Sequence, residues 1–188
     1  MAIDTLGLPP EARVYELSSR GALFRHLRHR FRDFHFSEYF DDVAPGDNRN
    51  GIPCQDVQDL RFPSGTFDLV TSTEVFEHVP DDAKGFSEIH RVLKPGGLLV
   101  FTVPLTRNPV TVERARRFSD GRVEHLLPPE YHSDRLRGRG KILAYRNYGR
   151  DIVDRLRGAG LVPEILTFAS VRFMVSPLDV LTGRKEGL

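Results

Sequence analysis

The sequence predicts an α/β fold built on a mostly parallel sheet. Two patterns carry this. From residue 13 to residue 103, strand-length apolar runs alternate with stretches of helical period. The run LLVFTV, 98–103, is continuously apolar, as a strand covered on both faces has to be. Size agrees, since a chain of 188 residues buries roughly 70% of its unfolded surface and needs no disulfide to fold. The one cysteine, Cys54, excludes an intrachain disulfide and points to a reducing, cytoplasmic setting. No apolar run reaches about 18 residues, so no spanning helix is expected. The opening MAIDTLGLPPEARV lacks the basic and apolar parts of a secretory signal. Residues 1–188 are expected to form one domain.

The elements follow in order. Residues 13–17 read as a strand, closed by a Ser-Ser-Arg-Gly turn. GALFRHLRHRF, 21–31, spaces Leu23, Phe24, Leu27 and Phe31 as a helix does. Residues 33–39 alternate as a strand, and 41–51 form a loop rich in Asp, Asn, Gly and Pro. A third strand is expected over 52–57 and a fourth over 67–72. Residues 81–93 put Phe86, Ile89, Val92 and Leu93 on one helix face, with Asp81 and Asp82 where the helix dipole favours acids. Lys94-Pro95-Gly96-Gly97 stops that helix. Residues 149–158 form a last helix. Strands at 161–168 and 171–175 close the chain as an antiparallel hairpin.

Residues 106–147 break this rhythm and are read as an inserted lid over the strand ends. Charge is uneven as well. Residues 38–90 carry twelve acids against three bases, and 107–157 carry thirteen bases against seven acids. Two solvated faces of opposite sign account for this. So does a basic cap over an acidic cleft, which would attract an anionic substrate. The net charge of +1 and the lack of a basic platform interleaved with aromatics argue against a nucleic-acid partner.

Parallel sheets bind ligands beyond the carboxyl ends of their strands. Acids stand at three successive tips: Glu16, Glu38 and Asp56. An acid at the second tip can accept both hydroxyls of a ribose. Asp56, followed by Val57, can accept from an adenine amino group while Val57 packs on the ring. Each alone could be a loop cap; together they point to an adenosine-containing cofactor. The first turn, ELSSRGA, has Arg20 where a phosphate-binding loop needs glycine, which disfavours a dinucleotide. A nucleotide-dependent dehydrogenase is therefore the weakest reading.

The run FDLVTSTEVFEHVPDDAKGFSEIHRVLKPGGLLVFTVPL, 67–105, preceded by DVQDLRF, 56–62, resembles the central segment of class I S-adenosylmethionine-dependent methyltransferases of the type 11 kind. The resemblance covers 13–105 well and 145–175 loosely. It implies a Rossmann-like, mostly parallel seven-stranded sheet and S-adenosylmethionine as cofactor. By it, Glu16, Ser18, Ser19 and Gly21 line the methionine side, Glu38 and Tyr39 hold the ribose, and Asp56 and Val57 hold the adenine. Thr71, Ser72 and Thr73 lie under the sulfonium. The family's glycine-rich first motif departs here to ELSSRGA, and its leading helix is nearly absent.

Glu74, Glu77 and His78 stand at i, i+3 and i+4 after the fourth strand, so on one helical turn they share a face. Two carboxylates and an imidazole can hold a divalent cation such as Mg²⁺. The E-x-x-E-H pattern is similar to that of metal-dependent small-RNA 2′-O-methyltransferases and ubiquinone-pathway O-methyltransferases. His132 is the expected fourth ligand and His125 the second choice. In the plainer reading the two acids cap or face solvent and His78 packs by the cofactor, with His78 or His132 as general base. Glu74, His78 and His132 are thus the candidate catalytic residues. Arg114, Arg116 and Arg117, with Tyr145 and Tyr148, are candidates to line the acceptor pocket. The expected activity is methylation of a small-molecule or glycan hydroxyl. The alternative is a degenerate binding module that acts with a partner protein.

Overall fold

The computed structural model describes residues 2–133, 141–170 and 175–187. Strand β1 (Arg13–Glu16) leads into helix α1 (Gly21–Arg30) and strand β2 (Asp33–Phe36). A small ribbon, β3 (Asn48–Arg49) with β4 (Ile52–Pro53), follows. Then come β5 (Phe67–Thr73), a 3₁₀ turn Phe76–His78, α2 (Asp82–Val92) and β6 (Leu93–Thr102). After the short strands described below, α3 (Ile152–Gly158) precedes β13 (Leu161–Ser170) and β14 (Val175–Lys185).

The main sheet has the order β13-β14-β6-β5-β1-β2. Its β2, β1, β5 and β6 run parallel, and β14 is antiparallel to both neighbours. Alternating helices and strands with a closing antiparallel pair therefore form as expected. Two expectations need correction. Among the described residues the sheet has six strands, because 52–57 does not form a full third one. Pro53 has no N–H to give a ladder, and the turn at Asn50 and Gly51, both at positive φ, folds β4 back on β3. What remains of the third strand is an isolated parallel bridge between Glu38 and Cys54. The last strand is Val175–Lys185 rather than 171–175, and residues 171–174 lie outside the described residues.

Each sheet face has its own core. Tyr15, Phe67, Val70, Leu99 and Phe101 meet α2 and α3 through Phe86, Ile89, Val92, Ile152 and Leu156. Val14, Leu69, Leu98, Val100 and Val180 pack against Leu27 and Phe31 of α1 and against Ile3. Asp81 caps α2 by accepting from the Lys84 N–H at 3.0 Å. This holds the helix start beside the 3₁₀ turn, where the Phe76 and Phe86 rings stack at 4.2 Å.

The segment expected as an insertion forms short antiparallel ribbons. These are β7 (Val112–Glu113) with β12 (Arg146–Asn147), β8 (Ala115–Arg117) with β9 (Val123–His125), and β10 (Glu130–His132) with β11 (Ile142–Ala144). Gly149 seats this segment against the body. A Cβ there would lie 2.4 Å from the Val110 carbonyl carbon, which is backbone and cannot rotate away. Gly149→Ala is expected to destabilise the chain by about 2 kcal/mol or more, a fall of several degrees in thermal unfolding midpoint measured by calorimetry.

Candidate active site

The ends of β1, β2, β5 and β6 open into one cavity of about 1440 Å³. Glu16, Ser18, Gly21, Glu38, Tyr39, Asp56, Val57, Ser72, Thr73, Glu74, His78 and His132 all line it. Ser19 and Glu77 do not. Ser19 stands behind the first turn, where its N–H and its hydroxyl both donate to Glu38 Oε1, at 2.8 and 2.9 Å. The Arg20 N–H donates to Ser18 Oγ at 3.3 Å, and Gly21 takes φ +90°. This is how ELSSRGA turns tightly without a run of glycines. Arg20 itself is extended and exposed.

The acids at the tips have distinct environments. Glu16 is 1% exposed and accepts from the Thr71 hydroxyl. Burial lifts its carboxyl to about 7, with the nearby Glu38 charge adding to the rise. Asp56 Oδ1 accepts from the N–H of Gln58 at 2.9 Å and from its side-chain amide at 3.0 Å, an Asx turn that presents Asp56 at the cavity wall. Val57 is buried, and Ser72 Oγ is buried without a hydrogen-bond partner among the described residues.

Glu74, Glu77 and His78 do not share one α-helical turn as the spacing predicts. Glu74 takes φ +52°, uncommon for a residue with a Cβ, and only then does the 3₁₀ turn begin. Glu74 is swung away, and partial burial raises its carboxyl. The turn instead brings Glu77, His78 and His132 together, with one ligand atom from each within 4.8 Å of the others. Glu77 Oε1 is 3.6 Å from both His78 Nε2 and His132 Nδ1. His125 is exposed on β9, outside this trio.

Both rings are held from behind. His78 Nδ1 lies 2.8 Å from the Leu143 carbonyl, and His132 Nε2 lies 3.4 Å from Glu130 Oε1. Both outer partners accept, so each ring carries its proton outward and turns a lone pair toward Glu77. Glu130 is held by Asn147 Nδ2 at 3.2 Å and by Arg114 Nε at 3.3 Å. Glu77 is 1% exposed, and neither of its oxygens has a hydrogen-bond partner among the described residues. Burial pushes its carboxyl up to about 8, and the neighbouring Glu74 adds to this.

Arg146 fixes the turn that carries this trio. It is 3% exposed. Nη1 donates to the Phe76 and Val79 carbonyls at 3.2 and 2.5 Å, and Nη2 donates to Pro80 at 2.8 Å. Its Nε meets Glu113 at 3.2 Å and lies 3.6 Å from Asp82. Arg155 binds the same two acids from the other side. Tyr148, one of the two expected pocket tyrosines, also packs here and donates to Asp82 at 2.9 Å; Tyr145 does line the cavity. Of the three expected arginines, Arg117 lines the cavity, Arg114 braces Glu130 and Arg116 pairs with Glu124. Sequence reasoning missed Arg146, Leu143 and Glu130. A carbonyl has no residue signature, and a lid arginine looks the same whether it faces solvent or a buried turn.

Comparison with known proteins bears out the resemblance. A family model described as a methyltransferase domain matches residues 18–101. A phthiotriol/phenolphthiotriol dimycocerosates methyltransferase of Mycobacterium leprae is 31% identical over 119 residues, 63% of this chain and 41% of that protein. A ubiquinone biosynthesis O-methyltransferase of Pseudomonas paraeruginosa is 51% identical over 45 residues, 24% of this chain and 19% of that one. An S-adenosylmethionine-dependent methyltransferase from Mesorhizobium loti superposes with a TM-score of 0.60 at 18% identity, covering 98% of this chain and 96% of that one. The fold is that of the class I methyltransferases. Residues 18–101 are similar to the methyltransferase domain, and the chain shares the fold of S-adenosylmethionine-dependent methyltransferases. It spans less than half the length of the curated relatives it matches. No helix among the described residues is long and apolar enough to cross a membrane.

Two measurements test this geometry. Arg146→Met leaves Asp82 and Glu113 buried or half-buried with one cation fewer, and is expected to cost about 3–5 kcal/mol in urea unfolding. Glu16 supplies a pH test. Its folded pKa is raised above the unfolded value, so the folded chain holds this proton more tightly. The associated stability is full below about pH 4.5 and is lost as pH rises through about 7. Glu16→Gln is expected to flatten the decline in stability between pH 5 and 8; an unchanged slope would contradict the burial of a protonated Glu16.

Proposed function

We propose that this chain transfers a methyl group from S-adenosylmethionine to a hydroxyl oxygen of a small molecule or glycan. The observation that carries this is the arrangement of one cavity. The carboxyl groups of Glu16, Glu38 and Asp56 and the imidazoles of His78 and His132 all line it. The family match and the relative named as an O-methyltransferase support it.

The residues fit the cofactor. Glu38 is placed for the ribose hydroxyls and Asp56 with Val57 for the adenine. Glu16 and the Ser18–Gly21 turn suit the amino-acid end, and the Ser72 hydroxyl, without a hydrogen-bond partner among the described residues, also lines the cavity. The cofactor supplies a methyl already activated on a positively charged sulfur. The chain's task is then to align the acceptor oxygen and to take its proton. His132 and His78, each hydrogen-bonded through its outer nitrogen to an acceptor, turn their other nitrogens inward for that step.

A divalent cation fits the same trio. Glu77 is a buried carboxyl with two unpartnered oxygens, and both rings are oriented by outer acceptors, as ligating histidines are. Such an ion would acidify the acceptor hydroxyl. Glu74, the other expected ligand, stands apart from the trio in this conformation. The site takes a small acceptor, anionic if Arg117 and Lys141 at the cavity wall meet it. A reducing, cytoplasmic setting belongs to the same reading, with Cys54 a free buried thiol.

Calorimetric titration with S-adenosylhomocysteine, with and without Mg²⁺, tests the reading. Micromolar binding is expected, and Glu38→Ala should weaken it by roughly tenfold or more. No heat and no thermal shift would move the assignment to a degenerate binding module. Glu77→Gln and His78→Ala should each lower methyl transfer by about 100-fold or more while retaining the fold by circular dichroism. Elemental analysis that finds no divalent ion, with activity surviving a chelator, would leave the histidines as bases alone.

A further inference from the structure

The cavity is larger than these groups need, and its far wall is apolar. Ligand pockets run to about 300–1000 Å³, against about 1440 Å³ here. Beyond His78 and His132 the lining continues over Ile142 and Leu143 to Phe168, Leu178 and Val180. Phe168 on β13 pairs directly with Leu178 on β14, so the two side chains stand side by side on one sheet face. That face is the one α1 covers, because Val180 packs in the α1 cluster. The cover stops short of the sheet edge. Phe168 is 44% and Leu178 51% exposed, although both line the cavity. Two large apolar side chains open to water within a binding cavity mark a surface that a ligand covers.

We infer that the acceptor carries a flexible hydrocarbon arm. Its hydroxyl end would lie at the Glu77–His78–His132 trio and its arm along Phe168, Leu178 and Val180. That one cavity is lined both by His78 and His132 and by these apolar side chains argues for an arm of the acceptor rather than a separate molecule. The inference rests on the oxygen-acceptor reading above and adds the substrate class.

A chain-length series tests it. The protein saturated with S-adenosylhomocysteine and Mg²⁺ is titrated with catechol, 4-ethylcatechol, 4-butylcatechol and 4-hexylcatechol. Affinity is expected to rise two- to fourfold for each methylene buried, the upper figure being about that for full burial. Phe168→Ser and Leu178→Ser should each lower the ratio of hexyl- to unsubstituted-catechol affinity. Catechol binding with an affinity flat across the series would overturn the arm and leave the oxygen-acceptor reading standing. A gain with length that both variants retain would also overturn it, by placing the arm elsewhere. No binding by any member, in protein that binds S-adenosylhomocysteine, would overturn the arm, because the longest chain should bind if the apolar wall takes it, and would leave the oxygen-acceptor reading to the titrations above.

Discussion

A single buried guanidinium ties the molecule together. Arg146 donates to three carbonyls around the 3₁₀ turn after β5 and meets Glu113 on the lid and Asp82 at the start of α2. Carbonyls in a non-helical turn have no ladder partners, and burial without donors would be costly. A planar fork of five N–H groups can serve several at once, which lysine's point charge cannot. Desolvating the cation is affordable because Asp82 and Glu113 lie beside it and Arg155 balances the second acid. The short ribbons β7 to β12 are thus held to the main sheet through the same turn that carries Glu77 and His78.

The candidate site inherits its geometry from that clamp. The Tyr145 N–H donates to the Glu77 carbonyl at 2.8 Å, so the strand that supplies Arg146 is hydrogen-bonded directly to the turn. Two residues away, the Leu143 carbonyl aims His78. The paired β10 strand brings His132 over it, with the two ring centroids 4.9 Å apart. The positive φ of Glu74 is the local cost, since the chain has to leave β5 and turn sharply before the 3₁₀ turn that carries Glu77 and His78.

Burial also sets the protonation of the site. Glu16 and Glu77 are both 1% exposed, and both are pushed upward toward neutrality. The causes differ in their remedies. Glu16 keeps a hydroxyl donor in Thr71, which restrains the rise. Glu77 has no hydroxyl donor among the described residues, and its own backbone N–H and the Arg146 charge only moderate the rise. A buried acid left without partners is the kind of group a cation or substrate proton would satisfy.

The sequence by itself determined the α/β rhythm, the parallel core and most of the cavity's acids. These follow from period, turn chemistry and burial, which act within a few residues of each other. FDLVTS and LLVFTV were legible because a strand buried on both faces has little freedom in composition. Tertiary structure decided the rest. The third strand was lost because sheet pairing needs backbone donors that Pro53 lacks, while the alternation of side chains said nothing about them. The E-x-x-E-H spacing placed three groups near one another but not on a helix. Whether Glu74 or His132 completes the cluster depended on a lid more than fifty residues away. Arg146, Leu143 and Glu130 act through contacts between segments far apart in the chain, and pairwise distance across a fold leaves no mark in local pattern.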